Sequence, residues 1–341
     1  MHRVAGRVSI FCFLSLLGAA VFAACSNPQI ASTTTSPAPT PSPSTSNPYA
    51  AVYKNVQWGS TVTVSFPSAC SMNLTTTGEP DYTPNAYYLA PTSGREAPVA
   101  YTAITHMPLG VVSYEDDIRP SLRDQSVTLN ICPTKASATT PTNLGAIGYL
   151  ISGTVMFNPF EANATTPAVA DNASYTFTDS TGAKQTAWFL DACGSHSNGM
   201  TWHAHANPDC VTSQADTPDG PSHIVGIALD GYPIYGGRDI DGNVIPVSAL
   251  DACNGIASPT PEFPSGAYHY VLPIGVTSKQ ASINCYTGEV STTMLAQGQA
   301  LACNMKLMFA MIRRHHAYPA KEPRMATMRM PGGSLMPAGA M

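Results

Sequence analysis

Alternation of apolar and polar positions marks strands along much of the chain. Thr61-Val62-Thr63-Val64-Ser65-Phe66 alternates with a period of two, as a strand with one buried face does. Ser126-Val127-Thr128-Leu129-Asn130-Ile131 repeats the pattern. Ala146 to Phe157 reads as a pair of apolar strands broken near Ser152-Gly153. Tyr175 to Leu190 predicts a hairpin turning at Asp179-Ser180-Thr181-Gly182, and His223 to Tyr235 predicts two strands around Asp230-Gly231. Helical periodicity is weak, and Ser291 to Leu301 is the one segment that predicts a helix. Asp239-Ile240-Asp241-Gly242-Asn243 resembles the start of a calcium loop, but no glutamate follows at the required place, so it reads as a hairpin turn.

The two ends break this pattern. His2, Arg3 and Arg7 precede an apolar run from Val8 to Ala24, which ends in Ala23-Ala24-Cys25. A basic stretch, a short apolar stretch and small residues before a cysteine predict an export signal over residues 1–24, with lipid attached to Cys25. Ordinary secretion, with cleavage after an alanine, is the alternative. Ser26 to Pro48 holds 17 Ser, Thr or Pro in 23 positions and no charge. Such a segment buries too little apolar surface to offset its chain entropy, so residues 25–50 are expected to form a disordered linker. A β-rich domain is expected over 51–301, and a disordered, basic, Met-rich tail over 302–341. Eight of the 14 methionines fall in that tail, beside His315-His316. The whole predicts an exported envelope protein, anchored to a membrane on the periplasmic or outer surface.

Composition sharpens the fold class. Charged residues are only 11% of the chain, and glycine and proline together number 56. Low charge and frequent turns point to an all-β or mostly β domain. From Cys25 to Ala302, 8 Lys/Arg face 20 Asp/Glu, a balance of −12; from Cys303 to Met341 the balance is +5, with 6 against 1. An acidic body argues against nucleic acid as a partner and favours cations.

Outside the cytoplasm, cysteines pair by default. Cys70, Cys132, Cys193, Cys210, Cys253 and Cys285 form an even set, with Cys303 left over. Six cysteines allow fifteen connectivities, of which nearest-neighbour pairing is the simplest. The cysteines also frame an internal repeat. Leu190-Asp191-Ala192-Cys193-Gly194 recurs as Leu250-Asp251-Ala252-Cys253-Asn254. Each copy leads to an aromatic-His pair, Trp202-His203 or Tyr268-His269, and then to a second cysteine. Two copies of one Asp-Ala-Cys…His…Cys unit predict pseudo-symmetric halves of a single disulfide-stapled domain.

Four of nine histidines fall within residues 196–223: His196, His203, His205 and His223. In a strand, residues two apart share a face, so His203 and His205 would stand side by side. His196 lies seven residues earlier, across a turn at Gly199. Three imidazoles with one open position is an arrangement that suits zinc, and imidazole also suits copper. A lone His-x-His in a β protein is more often structural.

Asp191-Ala192-Cys193-Gly194-Ser195-His196, Thr201-Trp202-His203-Ala204-His205, Pro208-Asp209-Cys210, His223-Ile224-Val225-Gly226 and Asp230-Gly231-Tyr232-Pro233-Ile234-Tyr235-Gly236 together resemble the signature of the YHYH protein family. Asp251-Ala252-Cys253-Asn254-Gly255, followed by Gly266-Ala267-Tyr268-His269-Tyr270, extends the resemblance, which runs from about Thr75 to Gly288. It implies an exported β-rich domain and no particular activity. Trp202 and Ala204 stand where the name motif has tyrosines, and Ile256 and Val271 stand where the family tends to have histidines. Only His269 remains in the second copy, so the first copy is where a metal is expected. Three functions are consistent with these residues. They are a tethered copper- or zinc-binding domain, a metal-dependent envelope enzyme with Asp191, Asp230 or a metal-bound water as base, and a surface binding module with structural histidines.

Overall fold

The computed structural model describes residues 47–89, 111–161, 164–170, 172–179 and 181–302. Residues 1–24, expected to be an export signal, Cys25, most of the Ser/Thr/Pro segment, and the tail from Cys303 onward with His315-His316 lie outside the described residues.

The described chain is β-rich. In order it forms α1 (Pro48–Tyr53), β1 (Val62–Ser68), β2 (Ser71–Thr76), β3 (Tyr87–Leu89), β4 (Val111–Ser113), β5 (Gln125–Asn130), β6 (Lys135–Pro141), β7 (Ala146–Leu150) and β8 (Val155–Phe157). It continues as β9 (Ser174–Thr178), β10 (Lys184–Trp188), β11 (Ser195–Ser197), β12 (Trp202–Ala204), α2 (Asp209–Ala215), β13 (Ile224–Ala228) and β14 (Pro233–Tyr235). It ends as β15 (Gly255–Ser258), β16 (Ala267–Val271), β17 (Cys285–Gly288) and α3 (Thr292–Ala300). The alternating segments near residues 62, 126, 146, 175 and 223 all form strands, and the Ser291 segment forms α3, capped by the Ser291 hydroxyl on the Met294 N–H.

An eight-stranded sheet organises the molecule, in the order β11-β12-β8-β7-β13-β14-β16-β15. This order is a pseudo-two-fold about the antiparallel β7–β13 seam. On each side a hairpin (β7–β8 or β13–β14) adds a parallel strand (β12 or β16), and that strand takes an antiparallel edge partner (β11 or β15). The registers superpose residue by residue. Gly148 pairs with Ala228 and Gly226 with Leu150, while Tyr149 and Ile227 face each other at the axis. A Cβ on Gly148 would lie 2.7 Å from the Ile227 carbonyl oxygen, and one on Gly226 would lie 2.5 Å from that of Tyr149. Both glycines let the seam close. The repeat visible in the sequence is thus a repeat of two sheet halves.

The core lies on this sheet and takes Val155, Val225, Ile227, Ile234 and Tyr270 from its strands. Helix α1 joins it. Asn47 caps the helix by accepting from the Tyr49 N–H, Pro48 stands in its first turn, and the Tyr53 hydroxyl donates to the Gly231 carbonyl at 2.8 Å. Tyr49 and Ala50 are buried, so ordered packing begins within the last residues of the 25–50 segment expected to be linker. Disulfides join Cys70 to Cys132, Cys193 to Cys210 and Cys253 to Cys285. In the last two, the first cysteine sits in the equivalent Asp-Ala-Cys turn of each half, while its partner lies in α2 in the first half and in β17 in the second. Among the described residues no helix is long and apolar enough to cross a membrane.

Candidate metal centre

A tight turn builds the histidine site. The Asp191 carboxylate accepts from the N–H groups of Cys193 (2.9 Å) and Ser195 (3.0 Å), and Gly194 takes the left-handed conformation at φ 67° that lets the chain reverse. The Cys193–Cys210 disulfide fixes the same turn to α2. The chain then enters β11, turns at Gly199, and returns as β12 with His196 and His203 as direct cross-strand partners. The His205 N–H continues the ladder by donating to the Gly194 carbonyl at 3.2 Å. Cross-strand partners share a face, and so do residues two apart, so all three imidazoles project together.

Their ligand nitrogens lie within 4.8 Å of one another. His196 Nε2 and His205 Nε2 are 3.2 Å apart, about the separation that two ligands take on one tetrahedral ion with metal–nitrogen bonds of about 2.0–2.1 Å. Hydrogen bonds set two of the tautomers. His205 Nδ1 is 2.7 Å from the Asn158 carbonyl and His203 Nδ1 is 3.2 Å from that of Thr201. A carbonyl only accepts, so each Nδ1 carries its proton and each Nε2 keeps its lone pair. Histidine ligands are commonly oriented by such a carbonyl. His196 Nδ1 is buried without a hydrogen-bond partner, so no hydrogen bond at that atom fixes the tautomer of this ring.

The surroundings keep these rings neutral. All three are 6% exposed or less. Phe157 stacks on His203 with centroids 3.9 Å apart, and Phe189 meets His196 edge-on at 4.7 Å. Burial pushes His196 and His203 well below the usual imidazole range, with neighbouring histidines adding to the effect, and it holds His205 at about 4. At neutral pH the cluster is three uncharged donors, the form that binds a cation. The donor set is all imidazole nitrogen, which fits copper or zinc and suits calcium or magnesium poorly.

His223 does not join them. It precedes β13, which lies three strand positions from β12, or roughly 14 Å across the sheet. Its Nδ1 instead meets Glu262 Oε1 at 2.7 Å, and its N–H donates to Asp216. Nearness in sequence groups it with the others, but the sheet order separates it. Asp191 and Asp230, the carboxylates considered as bases, are held in structural bonds. Asp191 accepts from the two turn N–H groups and from the Tyr88 hydroxyl; Asp230 accepts from the Tyr270 hydroxyl at 2.6 Å and the Gly288 N–H at 2.8 Å. Burial raises both to about 6.

The second half repeats the scaffold without the ligands. Asp251 accepts from the Cys253 and Gly255 N–H groups, and His269 Nδ1 lies 3.0 Å from the Ala267 carbonyl. Ile256, however, is the cross-strand partner of His269, and Val271 occupies the place of His205. Phe157 and the Asn158 carbonyl complete the first site from β8 and the turn after it. Nothing in their local sequence marks them, because they reach the histidines only through the parallel β8–β12 pairing.

The family model described as YHYH protein matches residues 126–243, which include the β7–β8 hairpin, the histidine hairpin and the β13–β14 pair. No curated protein and no solved structure was found to match the chain.

Proposed function

We propose that this is an exported, lipid-anchored YHYH-type protein that binds one transition-metal ion, copper or zinc, through His196, His203 and His205. The observation that carries the reading is the convergence of three neutral imidazoles, two of them with Nδ1 tied to a carbonyl so that Nε2 keeps its lone pair. The order of basic, apolar and small residues before Cys25 supports the anchor, and the Ser/Thr/Pro stretch supports a tether from the membrane.

Binding is preferred to catalysis because an enzyme needs an open coordination position that substrate can reach. The three rings are almost fully buried, and the cavity of about 630 Å³ elsewhere in the domain is lined by none of them. Titration of the metal-free protein with Zn(II) and with Cu(I), each buffered by a competing chromophoric chelator, tests this. One site that disappears in His203→Ala supports it; no binding of either ion refutes it. Intact mass of membrane-extracted protein should give a chain that starts at a diacylglyceryl-modified Cys25, and an unmodified start elsewhere would remove the anchor from the reading.

A further inference from the structure

His223 faces a cavity that the histidine triad does not share. Its volume is about 630 Å³, within the range of small-molecule sites. It opens between α1, the end of α2 and the start of β13. One part of its wall is apolar, with Val52, Val56 and the Trp58 ring. The rest is polar, with Asp81, Gln214, His223 and Glu262, and the wall contains no lysine or arginine.

The polar groups are held so that they offer acceptors. Glu262 receives His223 Nδ1 on Oε1 at 2.7 Å and the Tyr235 hydroxyl on Oε2 at 2.9 Å, which fixes its carboxylate from two sides. His223 Nδ1 is spent on Glu262, so the ring holds that carboxylate in place at the cavity wall. Asp81 accepts from the Ser60 N–H and hydroxyl, and Gln214 spends one amide N–H on the Asp81 carbonyl, leaving its own carbonyl unused. The two halves of the domain differ at this point. Tyr235 takes the place that Phe157 has beside the triad, and only Tyr235 has the hydroxyl that anchors Glu262.

We infer that this cavity binds a small organic cation, an amine carried on an alkyl chain, recognised by the Glu262–His223 pair with Asp81. An ammonium group supplies the donors and positive charge that two carboxylates call for, and an alkyl chain matches Val52 and Val56. The Trp58 ring adds a surface on which cations rest favourably. A bare metal ion fits less well, because among the described residues only the triad brings three ligand atoms within 4.8 Å of one another. The body's balance of −12 disfavours an anion.

Calorimetric titration of the mature chain with butylammonium, 1-butanol and butyrate tests the assignment. Butylammonium should bind at least tenfold more tightly than either isostere. Glu262→Gln should weaken it at least tenfold with metal content unchanged, and Asp81→Asn carries the same expectation should Glu262→Gln fail to fold. Equal binding of 1-butanol, tighter binding of butyrate, no binding of butylammonium, or full affinity in the folded carboxylate variants would overturn it.

Discussion

Phe157 and Tyr235 occupy equivalent positions in the two halves of the central sheet, and they do different work. Phe157 stacks on His203 at 3.9 Å, whereas Tyr235 stands 4.7 Å from His269 and gives its hydroxyl to Glu262. One half keeps an apolar shell around three histidines; the other turns the same framework into a polar wall.

If the halves are equivalent, the second can be given ligands. Ile256→His combined with Val271→His places two imidazoles around His269 in the register of the first site. Metal binding should rise from about one to about two equivalents in the folded double variant. A folded variant that still binds one equivalent would show that the sheet register alone does not make the site.

The seam glycines should resist substitution. Gly226→Ala puts a methyl group 2.5 Å from a backbone oxygen in the middle of the sheet, so the strands must part. We expect a loss of about 2 kcal/mol, at the scale of overpacking in a core. Gly148→Ala should act in the same direction. An unchanged denaturation midpoint in either would argue against the close approach.

The paired aspartate turns predict unequal losses. Asp191→Ala leaves the buried Cys193 and Ser195 N–H groups and the Tyr88 hydroxyl without their acceptor, and should cost about 3 kcal/mol. Asp251→Ala removes the equivalent bonds from a carboxylate that is itself exposed, so water can reach the vacated position and the Tyr268 hydroxyl still meets Thr287; it should cost about 1 kcal/mol. Equal losses in urea unfolding would contradict this ordering.

Much of this was readable beforehand. The alternation at residues 61–66 and 126–131 became β1 and β5, the duplicated Leu-Asp-Ala-Cys became the two turns, and the spacing of His203 and His205 set their shared face. These are local properties. What stayed hidden depends on pairing between distant strands. The strand order that removes His223 from the cluster, and the β8–β12 contact that brings Phe157 and Asn158 to it, are not encoded in any short window. Helix α1 was concealed for another reason, since the Pro/Ser/Thr composition before it masked Tyr49 and Tyr53 as core residues.

Metal-free protein should be sensitive to mild acid. His205 titrates at about 4 in the folded chain against 6.5 for an ordinary imidazole, and His196 and His203 are lowered with it. Between those values the unfolded chain binds protons that the folded chain does not, so stability falls as pH drops from about 6.5 toward 4. Asp191 and Asp230, raised from 3.8 to about 6, act in the opposite sense, because there the folded chain holds the protons. Comparison with His205→Gln isolates the histidine. The wild type should lose about 3 kcal/mol more than the variant between pH 7 and pH 4. Parallel pH profiles would count against a neutral, buried His205.

The most direct measurement is the metal content of the protein purified from the cell envelope, taken by elemental analysis beside His205→Ala. The account predicts about one equivalent of copper or zinc in the wild type and none in the variant, with the near-ultraviolet circular dichroism of the two proteins alike. A folded wild type that carries no metal and takes up neither ion, or a His205→Ala protein that keeps its full complement, would contradict it.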